Sequence, residues 1–130
     1  MLFMAFILVV DDQAQLCASI QMTLELAGYR VCIAGNGIAA LTVLQAQLID
    51  LILTDIAMPQ LDGYQLCQRV RADGRWNTIP LLILSAHGDE EDMRYAKALG
   101  ADDYLMKPIE PEALLAAVDD WLRVGVSRAQ

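Results

Sequence analysis

Short apolar runs alternate with longer segments along the whole chain. The runs are rich in Ile, Leu and Val, and the longer segments carry apolar residues at helical spacing, as at Leu16, Ile20 and Leu24. This alternation is typical of βα units around a parallel sheet. Each strand is expected to be followed by a helix. The predicted strands are Ala5 to Val10, Arg30 to Ala34, Leu51 to Thr54, Leu81 to Ser85 and Tyr104 to Met106.

Three of these runs, FILVV, LILT and LLILS, are apolar without alternation, which indicates central strands covered by helices on both faces. The sequence therefore predicts an α/β fold with a doubly wound parallel sheet. Gly28 and Gly100 follow helical stretches and are expected to end them in the left-handed conformation. The helical spacing is lost after Arg123. We expect one domain over residues 1–123, and a tail or the start of a linker over 124–130.

Composition narrows the class of protein. A chain of 130 residues with 56% hydrophobic residues is the size of one folded domain, and its net charge of −8 disfavours direct binding to nucleic acid. The apolar opening, Met1 to Val10, is shorter than the roughly 20 residues of a membrane span and lacks the basic start of a signal peptide. We expect a cytosolic protein with no membrane segment. Cys17, Cys32 and Cys67 lie far apart and are interpreted as small core residues.

Polar residues follow the predicted strands, at the edge where open parallel sheets bind their ligands. They are Asp11, Asp12, Asp55, Ser85 and Lys107. Two carboxylates ~4 Å apart repel each other by about 4 kcal/mol at an effective dielectric constant near 20, so the cluster needs compensating positive charge. Lys107 supplies one charge. A hard divalent cation would supply the remaining positive charge. Mg²⁺ is favoured because it uses few carboxylates and keeps waters and phosphate oxygens, and Mn²⁺ is the alternative.

This cluster favours phosphoryl transfer. One carboxylate could attack a phosphoryl donor while Ser85 and Lys107 hold the phosphoryl oxygens. Nucleotide binding of the flavodoxin type is the competing function on this architecture. It needs an anion cradle after the first strand, where the run Asp11-Asp12-Gln13 would repel a phosphate.

Four stretches resemble the receiver domains of bacterial two-component response regulators, chemotaxis receivers among them. They are VVDD at Val9 to Asp12, LILTDIAMPQLDG at Leu51 to Gly63, LLILSA at Leu81 to Ala86 and GADDYLMKP at Gly100 to Pro108. The resemblance extends over nearly the whole chain. It implies a flavodoxin-like fold, in which a five-stranded parallel sheet of order 2-1-3-4-5 is flanked by five helices.

The resemblance also implies roles for single residues. Asp55 would accept a phosphoryl group from a histidine kinase or a histidine phosphotransfer protein. Asp12 and Asp55 would ligate Mg²⁺ directly, Asp11 would act mainly through water, and the backbone carbonyl of Ala57 would complete the ligands from the protein.

Three further residues have roles by the same resemblance. Lys107 would contact one phosphoryl oxygen, and Ser85 would donate its hydroxyl to another. Tyr104 would be an aromatic switch that turns inward as Ser85 moves. A cis bond between Lys107 and Pro108 is expected, which an X-Pro peptide accepts at a cost of ~0.5 to 1 kcal/mol.

The chain departs from the usual receiver pattern at several positions. Ala57 stands where many members carry a polar residue, and His87, predicted as an exposed loop residue, is the only histidine. Ala117, Asp119 and Asp120 stand where regulators that dimerise on DNA usually show arginines, so we expect a monomer or a weak dimer.

Three acidic residues near the motifs are interpreted structurally. Asp62, just before Gly63, is expected to cap a helix. Asp102 and Asp103 are expected to form a solvated turn before the last strand.

We therefore expect a signalling switch whose protein-binding face, on the last two helices and the last strand, changes on phosphorylation. Its only enzymatic activity would be self-phosphorylation from a phosphodonor and slow autodephosphorylation. A small Mg²⁺-dependent phosphohydrolase that passes through an aspartyl phosphate is the first rival. It needs a second acid or base near the nucleophile and a substrate pocket, and the sequence indicates neither. A degenerate receiver that binds partners without phosphorylation is the second, and the complete set of site residues argues against it.

Overall fold

The computed structural model of the chain describes residues 4–129, in which five parallel strands and five helices alternate. The strands are β1 (Phe6–Val10), β2 (Arg30–Ala34), β3 (Leu51–Thr54), β4 (Leu81–Ser85) and β5 (Asp103–Met106). The helices are α1 (Ala14–Leu26), α2 (Gly37–Ala46), α3 (Gly63–Ala72), α4 (Glu90–Ala98) and α5 (Pro111–Ala129). The sheet order is β2-β1-β3-β4-β5, which confirms the predicted fold and topology.

The sheet separates two apolar layers because successive side chains of a strand point to opposite faces. Ile7 and Val9 of β1 pack with α1 and α5, whereas Leu8 and Val10 pack with residues of α2, α3 and α4. Every residue of β3 and β4 is buried, as the unbroken apolar runs indicated. Both faces of the central strands are therefore covered by helices.

Element boundaries agree with the sequence prediction to within one residue for the strands. β1 begins at Phe6 rather than Ala5, and β5 begins at Asp103 rather than Tyr104. The first three residues of the apolar opening lie outside the described residues. Gly28 and Gly100 follow α1 and α4 with φ of 97° and 108°, as predicted. Among residues 4–129, none of the helices combines the length and apolar composition that crossing a membrane requires.

The last helix extends beyond its predicted end. α5 continues to Ala129, so the expected loss of helical structure after Arg123 is wrong. The extension is held by contacts that the hydrophobic pattern does not show, because Arg128 pairs with Asp102 and the Gly125 backbone lies directly against Pro80. The domain boundary placed at Arg123 stays a prediction.

Asp102 and Asp103 do not form a solvated turn, and that prediction is wrong. The Asp102 side chain is 10% exposed and pairs with Arg71 and Arg128, while it also accepts a hydrogen bond from the Leu81 amide. Asp103 is the first residue of β5, and its carboxylate accepts a hydrogen bond of 2.9 Å from the Trp121 indole. Their basic and aromatic partners come from α3 and α5, far away in sequence.

Candidate functional site

Three carboxylates meet at the carboxyl ends of β1 and β3. These strands are neighbours, with Val10 paired to Thr54, and the Asp55 amide donates to the Val10 carbonyl at 2.9 Å. The residues that follow the two strands are therefore adjacent. Asp11, Asp12 and Asp55 offer carboxylate oxygens that all lie within 4.8 Å of one another, so the structure brings together the three predicted carboxylates.

Lys107 reaches this cluster from the end of β5. Its Nζ lies 2.9 Å from the Asp11 carboxylate and 3.5 Å from that of Asp55. The Lys107 amide donates to the Ser85 carbonyl at 2.8 Å, which holds the ends of β4 and β5 together. The bond to Pro108 is cis, as the resemblance implied. One lysine thus contacts two of the three carboxylates.

The electrostatic balance of the cluster favours an added cation. Burial raises the pKa of the Asp55 carboxyl, whereas the hydrogen bond from the Ile56 amide and the nearby Lys107 ammonium oppose this shift and Asp11 adds to it. The ionised form of Asp55 is therefore less favourable in the folded chain than in water. Three carboxylates face one ammonium group. A cation bound near Asp55 would offset both the cost of burying its carboxylate and the repulsion between the carboxylates.

The donor atoms fit a hard divalent cation. Carboxylate and backbone carbonyl oxygens are the ligands that Mg²⁺ and Mn²⁺ take, and Mg²⁺ keeps several waters beside one or two carboxylates. Asp11 is buried, Asp55 is half-buried and Asp12 is exposed, so solvent reaches one side of the cluster. Ala57 lines the same cavity as Asp55. The residues present thus match the expected metal site in charge, atom type and access.

Ser85 and Tyr104 lie beside the cluster and share one neighbour. Ser85 ends β4, is 3% exposed, and accepts a hydrogen bond from the His87 amide at 3.1 Å. Tyr104 is 8% exposed, and its hydroxyl donates to the His87 carbonyl. Tyr104 therefore already packs inward in this structure. Both side chains hold the peptide groups of His87, whose own side chain is exposed as predicted.

The loop after Asp55 is shaped by the start of α3. Asp62 caps this helix, because its side chain accepts from the Gln65 amide while the Gln65 side chain accepts from the Asp62 amide. This confirms the predicted cap. The Gly63 amide donates to the Ile56 carbonyl at 2.9 Å, and a Cβ at Gly63 would lie 2.1 Å from the Asp55 carbonyl oxygen. The helix thus begins directly against the backbone of Asp55.

A cavity of about 420 Å³ opens over Asp55, with Ala57, Ser85, Tyr104 and Lys107 among its walls. Tyr64 from α3 and Asp92 from α4 also line it, and the sequence analysis missed both. No motif marks these two residues, because only the packing of α3 beside α4 brings them to the cavity. The predicted site residues at the ends of β3, β4 and β5 thus share one cavity with two residues from helices.

Comparison with known proteins identifies the family. The sequence profile of the response regulator receiver domain matches residues 7–119. RpaA of Synechocystis sp., a DNA-binding dual master transcriptional regulator, is 40% identical over 90% of this chain and 48% of its own length. The chain spans about half the length of the curated relatives it matches.

Solved structures agree with this assignment. A response regulator from Chloroflexus aurantiacus is 36% identical with a TM-score of 0.89, over 93% of this chain and 99% of its own. Chemotaxis protein CheY4 of Vibrio cholerae is 34% identical with a TM-score of 0.87, over 91% and 98% of the two chains. With the fold, the acidic cluster and the profile in agreement, the chain belongs to the response regulator receiver domain family of two-component systems.

Proposed function

We propose that this chain is a phosphorylation-dependent switch in which Asp55 accepts a phosphoryl group from a phosphohistidine on a histidine kinase or a histidine phosphotransfer protein. One observation carries the proposal. Of the three clustered carboxylates, it is Asp55 that lines the described cavity, and its oxygen lies 3.5 Å from the Lys107 ammonium. A phosphoryl group bound in this cavity would therefore lie against the Asp55 carboxylate.

The metal site of the proposal uses the acidic cluster. Asp12 and Asp55 would hold Mg²⁺ or Mn²⁺ directly, Asp11 mainly through water, and the Ala57 carbonyl would complete the set. The cation, when bound, supplies positive charge that neutralises the phosphoryl oxygens. Asp11 also positions Lys107, whose ammonium it holds at 2.9 Å.

The transfer step then depends on groups of the chain. A carboxylate oxygen of Asp55 attacks phosphorus, the bond from phosphorus to the donor nitrogen breaks, and the bonding electron pair stays on the departing imidazole. Lys107 and Ser85 would hold phosphoryl oxygens as their charge grows. The Ser85 hydroxyl oxygen accepts a hydrogen bond from the His87 amide in this structure, and its O–H can donate to a phosphoryl oxygen at the same time.

We propose that the phosphoryl group is lost slowly by hydrolysis. Apart from self-phosphorylation and this autodephosphorylation, the chain is proposed to have no enzymatic activity. Hydrolysis requires a water placed in line with the bond from phosphorus to Asp55. Ala57 has no polar side chain to hold this water. The related proteins that the comparisons identify are regulators and receiver domains, which supports a switch over a phosphohydrolase.

The output of the switch is proposed to be a protein-binding face formed by α4, β5 and α5. Tyr104 lies in β5 and its hydroxyl holds the loop before α4, so a change at Ser85 would reach this face through His87. Exposed apolar side chains on the face include Tyr95 and Met106. With acidic residues in α5 and a net charge of −8, the chain is proposed to act as a monomer or weak dimer that binds a protein and not nucleic acid directly.

A divalent metal ion is expected to allow phosphorylation of the chain by a small phosphoryl donor and to stabilise the fold. Acetyl phosphate should add one phosphoryl group with Mg²⁺ or Mn²⁺ present and none with a chelator, as measured by intact mass.

The metal is also expected to stabilise the fold. Since the unfolded chain lacks the cluster, Mg²⁺ at ten times its Kd should add about 1.4 kcal/mol to the free energy of unfolding. Asp12→Ala is expected to be neutral or stabilising without metal and to lose this response. A wild-type melting temperature that millimolar Mg²⁺ leaves unchanged would contradict the site.

Ser85→Ala is expected to allow phosphorylation but to weaken the structural change that phosphorylation causes at Tyr104 and α5. The variant keeps Asp55 and Lys107, so it should still take up a phosphoryl group, but it has no hydroxyl to draw toward that group. NMR should therefore show smaller chemical-shift changes at Tyr104 and α5 on phosphorylation than in wild type. Ser127→Ala, which removes an exposed hydroxyl, serves as the control. Equal changes in Ser85→Ala and wild type would show that this hydroxyl does not couple the site to α5.

A further inference from the structure

Tyr64 and Asp92 form a wall of the cavity that the proposed chemistry does not use. Tyr64 is the second residue of α3 and Asp92 the third residue of α4, and both line the cavity that contains Asp55. The Tyr64 ring is held edge-to-face against Tyr95 of α4, with ring centroids 4.8 Å apart and planes at 83°. The wall thus joins two helices at the mouth of the acceptor site.

The chemistry of this wall is aromatic and anionic. Burial raises the pKa of the Tyr64 phenol to about 12, with smaller contributions from Tyr104 and Asp92, so its hydroxyl stays a neutral hydrogen-bond donor. Asp92 takes no part in the ion pairs found among residues 4–129. Its amide is bound by the Asp89 cap at 2.8 Å, which fixes the backbone of this turn. Asp92 thus lines the cavity without a cationic partner among the described residues.

We propose that Tyr64 and Asp92 form a leaving-group subsite that selects phosphoryl donors with a flat, protonated nitrogen ring over donors with a carboxylate leaving group. The proposal rests on the function proposed for Asp55 and deepens it. An imidazolium ring finds an aromatic surface in Tyr64 and a hydrogen-bond acceptor of opposite charge in Asp92. An acetate leaving group meets the same carboxylate as a like charge.

The transfer balances in charge and protons. The phosphorylated imidazole carries a proton on its second ring nitrogen and is therefore positively charged. In the proposed subsite this N–H group faces the Asp92 carboxylate. When the oxygen of Asp55 bonds to phosphorus, the bond from phosphorus to nitrogen breaks and its electron pair stays on the ring. The imidazole leaves neutral with its remaining proton. With acetyl phosphate the bond from phosphorus to oxygen breaks instead, and the electron pair leaves on acetate.

The subsite acts locally, whereas the net charge of the chain acts on every donor. Both donors carry the same phosphoryl group, so the ratio of their labelling rates cancels the repulsion that this group experiences. Glu91 neighbours Asp92 in α4, is exposed, and is not among the residues that line the cavity. Glu91→Gln therefore removes the same charge as Asp92→Asn without changing the wall, and it provides the matched control.

The test measures initial rates of Asp55 labelling by phosphoimidazole and by acetyl phosphate, both with Mg²⁺, at several salt concentrations. Asp92→Asn is expected to lower the ratio of the phosphoimidazole rate to the acetyl phosphate rate roughly two- to fivefold, the size of a partly exposed charge contact. Glu91→Gln should leave the ratio unchanged. Tyr64→Leu should lower the ratio because the ring is lost, and Tyr64→Phe should keep most of it.

The outcomes separate the two proposals. If both donors label Asp55 and Asp92→Asn leaves the ratio unchanged, or if Glu91→Gln shifts it equally, the subsite is overturned and the acceptor role stands. An unchanged ratio in Tyr64→Leu likewise overturns the subsite, since the flat ring would then have no surface to bind. If neither donor labels Asp55 in wild type, both the acceptor role and the subsite are wrong.

Discussion

Asp55→Asn is expected to reduce phosphoryl incorporation from one group per chain to none. An amide oxygen is a far weaker nucleophile than a carboxylate oxygen, and the acyl phosphate cannot form on an amide. Asp11 and Asp12 lie within the same cluster but do not line the cavity, so neither is expected to replace Asp55. Incubation with acetyl phosphate and Mg²⁺ followed by mass spectrometry measures the loss. Equal labelling of the variant and wild type would show that Asp55 is not the acceptor.

Stability measurements show whether the loss of labelling reflects chemistry or unfolding. Because burial raises the pKa of Asp55 in the folded state above its ordinary 3.8, the wild type loses stability as pH rises from that value through the folded pKa. Asp55→Asn has no such proton, so without metal it should be at least as stable as wild type at neutral pH and lose its advantage in acid. Asp62→Asn is the matched control, since Asn also caps helices, and it should keep both labelling and stability.

Gly63→Ala is expected to have the largest effect on the fold near the site. The added Cβ would lie 2.1 Å from the Asp55 carbonyl oxygen and 2.9 Å from the Ile56 Cα, and both are backbone atoms that cannot rotate away. α3 must therefore move away from the end of β3. We expect a loss of about 2 to 3 kcal/mol in the free energy of unfolding, together with slower labelling because the Asp55 backbone is displaced.

Gly74→Ala provides the control for this substitution. A Cβ at Gly74 meets nothing within 4 Å, so the variant should be neutral, or more stable by about 0.4 to 1 kcal/mol if restriction of the unfolded chain dominates. Urea denaturation compares the three proteins. A midpoint for Gly63→Ala equal to that of wild type would mean that the loop before α3 absorbs the methyl group without strain.

The sheet and the acidic cluster could be predicted because their signals are local. Each apolar run is a strand in itself, and a residue that follows a parallel strand lies at the ligand-binding edge wherever the helices pack. Asp11 and Asp55 could therefore be placed together from two separate runs, and Lys107 followed from the last strand. The family resemblance then supplied the strand order, which local patterns leave open.

The features that the sequence analysis missed depend on distant partners. Asp102 looked like a turn residue because nothing near it in sequence shows that Arg71 and Arg128 will surround it. The end of α5 was placed too early for the same reason, since the helical spacing fades while a long-range ion pair holds the last turn. Tyr64 and Asp92 share a cavity only because α3 lies beside α4.

The free cysteines give each layer of the molecule its own reporter of opening. Cys17 is a buried residue of α1 with its thiol near the Asp11 carbonyl. Cys67 is a buried residue of α3, on the opposite face of the sheet, with its thiol near the Leu99 carbonyl. With the half-buried Cys32 replaced by alanine, alkylation of each thiol should require its own face to open. The two reaction rates would then show whether the layer under α1 and α5 and the layer under α2, α3 and α4 open together or separately.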